Sequence, residues 1–284
     1  MRGKHLTMED TDYALGRTSL EYDRLVEQAE LLAPLTERLF RVAGVGPGMR
    51  VLDVGCGVGD VSFLASSLVG ADGMVVGVDL DSEALNVAEH RRIAAGITNV
   101  EFREGDARAF DVERLFDAAV GRLVMMYMSD PTAALRQIAE RVRPGGIVAF
   151  HEWDARISPA AEMNQPVLAE LQRLIALTFQ RSGASLDIGA TLYECMRAAE
   201  LAPERRPLAE IALHMGQDEV GYRRWAQFVP SLLPKMVEYG LATEDQMLDL
   251  VEHRLRDELV GAPGPMSLSW LMIGQWAHKR APPD

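Results

Sequence analysis

Cysteine is scarce in this chain. Its 284 residues include two, Cys56 and Cys195. Cys56 lies inside a glycine-rich turn where a disulfide would be awkward, so a stapled fold is set aside and free thiols in a cytoplasmic setting are expected. Long apolar runs are missing as well. None approaches the roughly 20 residues that cross a bilayer, so no membrane insertion is expected. Met1-Arg2-Gly3-Lys4-His5 is basic, but Thr7 to Asp12 is mostly polar and acidic, without the apolar core of a secretory signal. Positive charge is in deficit: 29 Lys and Arg stand against 42 Asp and Glu, a net charge of -13. Such a surface repels phosphate backbones, which argues against a nucleic-acid partner. No clustered His, Cys or carboxylate set has metal-ligand spacing, so no metal is expected. No internal repeat or low-complexity tract occurs.

What is present is a globular composition, 48% hydrophobic and 25% charged. The length suits one large domain, or one domain carrying a small lid. Residues 1–15 are polar. From Ser19 the apolar residues recur at helical spacing, with Pro34 read as a break or a new start and a second helix over Leu35–Ala43. Strand and helix then alternate. Strands are expected at 50–54, 73–79, 99–103, 116–120 and 147–151. Helices are expected at 60–69, 82–95 (capped by Ser82) and 131–142, with Pro144-Gly145-Gly146 as a turn. Five strands with intervening helices make a parallel sheet covered on both faces. Further on, helices are expected at 167–180 and 191–201, and a sixth strand at 210–215. A mostly helical stretch follows over 218–259, broken at Pro230 and Pro234, and a last strand over 267–276.

The chemistry begins at Val51-Leu52-Asp53-Val54-Gly55-Cys56-Gly57-Val58-Gly59-Asp60. Glycines there let the backbone turn sharply and leave room for a ligand against it. The helix behind offers free N–H groups. The spacing is G-x-G-x-G, not the G-x-G-x-x-G of dinucleotide enzymes, and Asp60 would sit badly beside a pyrophosphate. Asp79 closes the second strand, where a carboxylate can accept both hydroxyls of a ribose. Asp106 follows the third strand, where a carboxylate can accept an adenine amine. Taken singly, each acid could be a helix cap or a turn residue. As an ordered set at strand ends they mark a nucleoside site.

This set resembles class I S-adenosylmethionine (SAM)-dependent methyltransferases. Val51 to Gly59 is similar to their first motif, Val75 to Asp79 to the second, and Gly105-Asp106 to the third. Phe116 to Val120 and Arg143-Pro144-Gly145-Gly146 resemble the fourth strand and the turn before the fifth. The likeness covers about residues 40–155. Tyr13, Leu15-Gly16-Arg17, Glu21, Arg24-Leu25 and Gln28 extend it towards a bacterial subgroup acting on small molecules, often in secondary metabolism. The resemblance implies a Rossmann-like, doubly wound, mostly parallel seven-stranded sheet. Residues 1–45 would form an N-terminal helical cap, 46–155 the SAM-binding core, and 156–284 the rest of the sheet, with a helical lid over about 217–262. It also implies that Gly55 and Gly57 approach the methionine part of SAM. Asp79 would hold the ribose, Leu80 pack on the adenine, and Asp106 and Ala107 address its edge. Arg122 would lie beside the sulfonium, and Asp53 would reach SAM through water.

For the substrate half, the end of the fifth strand offers His151 and Glu152 as candidate bases and Trp153 as a pocket wall. Tyr22 is a further catalytic candidate. Tyr13, Met126 and Trp225 are candidates for the pocket, and Gln28 for the cofactor. The bland readings are a satisfied core histidine at 151, a structural ion pair at Glu152, ordinary packing for the methionines, and a surface pair for Glu21 and Arg24. The expected activity is in-line methyl transfer to a small, fairly apolar molecule. A quinone or lipid C-methyltransferase and a non-catalytic SAM-binding regulator are the alternatives. The acceptor atom, and whether the chain forms a homo-oligomer, are not specified by these residues.

Overall fold

The computed structural model describes residues 19–109, 112–215, 219–261 and 266–281. Tyr13 and the Leu15-Gly16-Arg17 pattern lie outside the described residues.

Helix α1 spans Ser19–Ala43 without interruption, and Pro34 sits inside it. Proline removes one helical hydrogen bond. Burial of Leu32, Leu39 and Phe40 on either side holds the helix through that loss. The break read at Pro34 is therefore corrected.

Strands β1 (Arg50–Val54), β2 (Met74–Asp79), β3 (Val100–Glu104), β4 (Phe116–Arg122) and β5 (Val142–Asp154) are parallel, in the order β3-β2-β1-β4-β5. Helices α2 (Asp60–Val69), α3 (Ser82–Ala94) and α4 (Pro131–Glu140) connect them. Side chains alternate between the two faces of a strand. Val51, Val75 and Ala118 pack with Leu39 and Phe40 of α1 and Ala65 and Leu68 of α2. Leu52, Val76 and Ala119 pack on the opposite face with Leu135 and Ile138 of α4. The cap of α3 is Asp81 rather than Ser82, because its Oδ1 accepts from the backbone N–H of Glu83 and Ala84. The turn expected at 144–146 is instead a bulge within β5. The register shifts opposite Phe116 and Ala118, and Gly145 and Gly146 bond Lys279. A Cβ on Gly146 would meet the Asp117 carbonyl at 2.7 Å.

Three helices precede the end of the sheet: α5 (Pro159–Glu162), α6 (Pro166–Arg181) and α7 (Ile188–Ala198), then β6 (Ala202–Pro203) and β7 (Leu208–Glu210). Both short strands lie antiparallel against β10 (Leu271–His278), itself antiparallel to β5. The main sheet thus has eight strands, with β6 and β7 sharing one edge position. The sixth strand read over 210–215 divides: β7 ends at Glu210, while β8 (Leu213–Met215) pairs with β9 (Met266–Leu268) in a separate ribbon. Ala212 and Ser269 mark the fork, exchanging N–H···O bonds of 2.8 and 2.9 Å.

Between β8 and β9 stand α8 (Val220–Ala226), α9 (Phe228–Glu238) and α10 (Glu244–Leu248), then π-helical turns at Asp249–Leu255 and Asp257–Gly261. Pro230 falls in the first turn of α9 and Pro234 inside it, so neither breaks the helix. Glu258 ties this insertion to α6 by accepting from Val167 N and Leu168 N. Among the described residues no helix is long and apolar enough to cross a membrane.

Candidate active site

A cleft of about 210 Å³ opens at the C-terminal ends of β1, β2 and β4, beneath α1. Its floor is the glycine turn. Gly55, Gly57 and Gly59 all have positive φ, at 66°, 50° and 91°, which favours glycine. A Cβ on Gly55 would stand 2.4 Å from Val124, whereas nothing lies within 4 Å of one on Gly57. The turn is tight on the protein side and open on the cleft side at Gly57.

Asp79 clamps the turn to β2. Its carboxylate accepts from Gly57 N at 2.7 Å and Asp81 N at 2.9 Å. Burial pushes its pKa above the usual range against these bonds. Each oxygen keeps lone pairs for a ligand. Leu80, 37% exposed, offers an apolar surface beside it. Asp106 and Ala107 also line the cleft. Partial burial opposes ionisation of Asp106, but the guanidinium and backbone N–H of Arg108 outweigh it and hold its pKa low. Asp53 lies under the turn and not in the cleft wall. Ser62 Oγ donates to it at 2.6 Å, Oδ1 has no partner, and burial raises its pKa to about 7.

Arg122 lines the cleft and donates to Thr36 Oγ1 at 3.3 Å. Burial draws its pKa down, against the pull of Asp60 and Asp53. His151 meets the same hydroxyl, Nδ1 to Oγ1, at 3.0 Å. Thr36 spends its own proton on Leu32 O, so Nδ1 is the donor. Burial and the Arg122 charge lower the His151 pKa to about 3. The imidazole is neutral and stands outside the cleft wall. Glu152 follows it on β5. Its Oε1 accepts from Val124 N and Met125 N, both at 3.0 Å. Burial raises its pKa to about 7, and it does not line the cleft. It secures the sharp exit from β4, where Leu123 adopts φ 54°. Tyr22 does line the cleft, but its hydroxyl donates to Asp81 Oδ2 at 3.1 Å. That bond straps α1 to the cap of α3.

Glu21 and Arg24, read as a surface pair, are buried. Arg24 forks Glu21 at 2.8 and 2.6 Å, donates to Gln28 Oε1 at 2.8 Å, and lies 4.2 Å from the Phe228 ring centre. All four line the cleft, as do Met126 and Trp153. Their spacing of three and four on α1 puts Glu21, Arg24 and Gln28 on one helix face, and that signal was present in the sequence. Trp225 stands one layer away, against Phe228 and Trp270. The sequence reading missed Trp270 and Thr36, which carry no local motif.

Residues 46–205 match the family model of a methyltransferase domain. A 2-phytyl-1,4-naphtoquinone methyltransferase of Synechococcus elongatus is 31% identical over 200 residues, covering 69% of this chain and 83% of that protein. The aklanonic acid methyltransferase of a Streptomyces species is 31% identical over 150 residues, covering 50% and 67%. With an uncharacterized protein of Mycobacterium tuberculosis, 34% identical over 125 residues, the match spans only 44% of either chain. The YcgJ protein of Bacillus subtilis has a similar fold, with a TM-score of 0.56, 18% identity, and coverage of 88% of this chain and 98% of that one. Family model, relatives and sheet order agree: the chain belongs to the class I SAM-dependent methyltransferases.

Proposed function

We propose that the chain transfers a methyl group from SAM to a small, fairly apolar molecule. The observation that carries this is the make-up of the cleft. Its wall combines the glycine turn and Asp79 with the apolar side chains of Met126, Trp153 and Phe228.

The residues present suit SAM. The open face at Gly57 leaves a cradle that a Cβ would fill, and the Asp79 oxygens keep lone pairs. Bound there, SAM supplies an electrophilic methyl on a sulfonium. Asp79 would hold the ribose hydroxyls, Leu80 would pack on the adenine, and Asp106 with Ala107 would address its edge. Gly55 and Gly57 would approach the methionine portion beside Arg122, with Asp53 acting through water. Thr36, itself bonded by His151, accepts from the Arg122 guanidinium and holds it in place. Trp153, Met126 and Phe228 exclude water, and the 217–262 insertion would serve as the lid. With His151 and Glu152 engaged elsewhere, alignment of the acceptor is the main source of catalysis this geometry supports.

A second reading is favoured by one observation. The relative matched over the greatest share of this chain among those named above methylates a naphthoquinone, which suits C-methylation of a quinone of primary metabolism. The aklanonic acid relative suits a secondary metabolite instead. Mass spectrometry of quinols and aromatic polyketides incubated with enzyme and SAM distinguishes them. One acceptor class is expected to gain a single methyl. SAM binding with no product from either class would leave a non-catalytic binder, and no SAM binding would end the proposal.

A further inference from the structure

A second cavity adjoins the cofactor cleft. Arg24, Gln28, Trp153 and Phe228 line both, so the two spaces share a wall. The rest of the second cavity is largely aromatic and aliphatic, with Trp225 and Trp270 foremost. Three of the chain's four tryptophans meet here. Trp153 and Trp270 pack edge to face with ring centres 4.5 Å apart, and Trp225 and Trp270 do so at 5.0 Å. Trp225 and Phe228 stack at 5.7 Å.

The polar edges of this box are unmatched. The indole N–H groups of Trp153 and Trp270 are buried with no acceptor. Gln227 Oε1, in the same wall, is buried with no donor. A buried indole N–H normally finds a partner, and two orphans in one cavity wall are unusual. Both indole donors are uncharged, the Arg24 guanidinium is taken up by Glu21 and Gln28, and Arg224, the other cation in the wall, is engaged as well. That combination matches a neutral oxygen acceptor better than a carboxylate or phosphate. Aromatic faces on several sides match a flat ring. The orphaned amide oxygen of Gln227 suits a hydroxyl on the same ring.

We propose that this cavity is the acceptor-substrate subsite, and that it takes a neutral aromatic ring bearing a carbonyl oxygen, which an indole N–H of Trp153 or Trp270 holds. The inference rests on the methyl-transfer reading above. The shared wall at Arg24, Gln28 and Trp153 is where the ring would present its reacting atom to the cofactor side.

The test compares 1-tetralone with tetralin, the same skeleton without the oxygen. Dissociation constants come from tryptophan quenching and calorimetry, and S-adenosylhomocysteine binding is measured in parallel. The wild-type chain is expected to prefer the ketone by about fivefold, the worth of one neutral hydrogen bond. Trp270→Phe keeps a ring and removes one donor, and it should shrink that preference with S-adenosylhomocysteine affinity unchanged. Leu31→Trp fills the cavity from α1 and should abolish ketone binding while S-adenosylhomocysteine still binds. Equal affinity for ketone and hydrocarbon in the wild type, or ketone binding that survives Leu31→Trp, overturns the proposal. Ketone binding without S-adenosylhomocysteine binding would instead sink the methyl-transfer reading and leave the cavity standing.

Discussion

Asp79→Ala is expected to weaken S-adenosylhomocysteine binding by about 100-fold or more, since two hydrogen bonds to a charged acceptor are worth about 1.5–3 kcal/mol each. The carboxylate does two jobs. It presents oxygens at the end of β2, and it fastens the glycine turn by accepting from Gly57 N. Alanine removes the ribose acceptors and unfastens the turn that faces the ligand. Asp79→Asn keeps one acceptor oxygen and should fall between the two. Calorimetry measures all three proteins. An alanine variant within threefold of the wild type would show that the ribose is held elsewhere.

Glu152→Ala is expected to cost about 2–4 kcal/mol of folding stability, because it leaves two buried N–H groups and a void in the core. Those donors are Val124 N and Met125 N, and they hold the exit from β4 next to the left-handed Leu123. The pH dependence adds a second signature. Burial raises the Glu152 pKa from 4.5 to about 7, so the folded state binds this proton more tightly than the unfolded chain. The resulting stability is fully present below about pH 4.5, is lost as pH rises to about 7, and is flat above that. Asp53, raised from 3.8 to about 7, acts in the same direction. Glu152→Gln keeps an acceptor for the two N–H groups and removes the titration. Urea unfolding at pH 5 and pH 8 should show a smaller loss in Glu152→Gln than in the wild type. Equal losses would mean that Glu152 does not carry the shifted proton.

The legible half of the site and the hidden half differ in how far apart their residues lie. Gly55, Gly57, Asp79 and Asp106 each sit at the end of one strand, in a short motif whose spacing reports its geometry. The sheet was legible for the same reason: its strands alternate with helices, β1, β2, β4 and β5 carry apolar side chains on both faces, and β3 alternates apolar with charged residues. The substrate side is assembled from α1, β5, α8, α9 and the β9–β10 junction, and no local spacing links Arg24 to Trp270. His151 and Glu152 were attractive as bases from their residue types and their place at the end of β5. Neighbours on a strand face opposite ways, so both could not open onto one pocket. Their partners, Thr36 and the backbone of Val124 and Met125, lie 115 and 27–28 residues away. The edge of the sheet was misread because β7 and β8 form one apolar run, and only the pairing of Ala212 with Ser269 divides it.

Calorimetry of the whole chain with S-adenosylhomocysteine and, separately, with NAD tests the central claim most directly. The glycine turn with Asp79 should bind S-adenosylhomocysteine at one site per chain and leave NAD unbound. Binding of NAD with no binding of S-adenosylhomocysteine would contradict the assignment of this cleft.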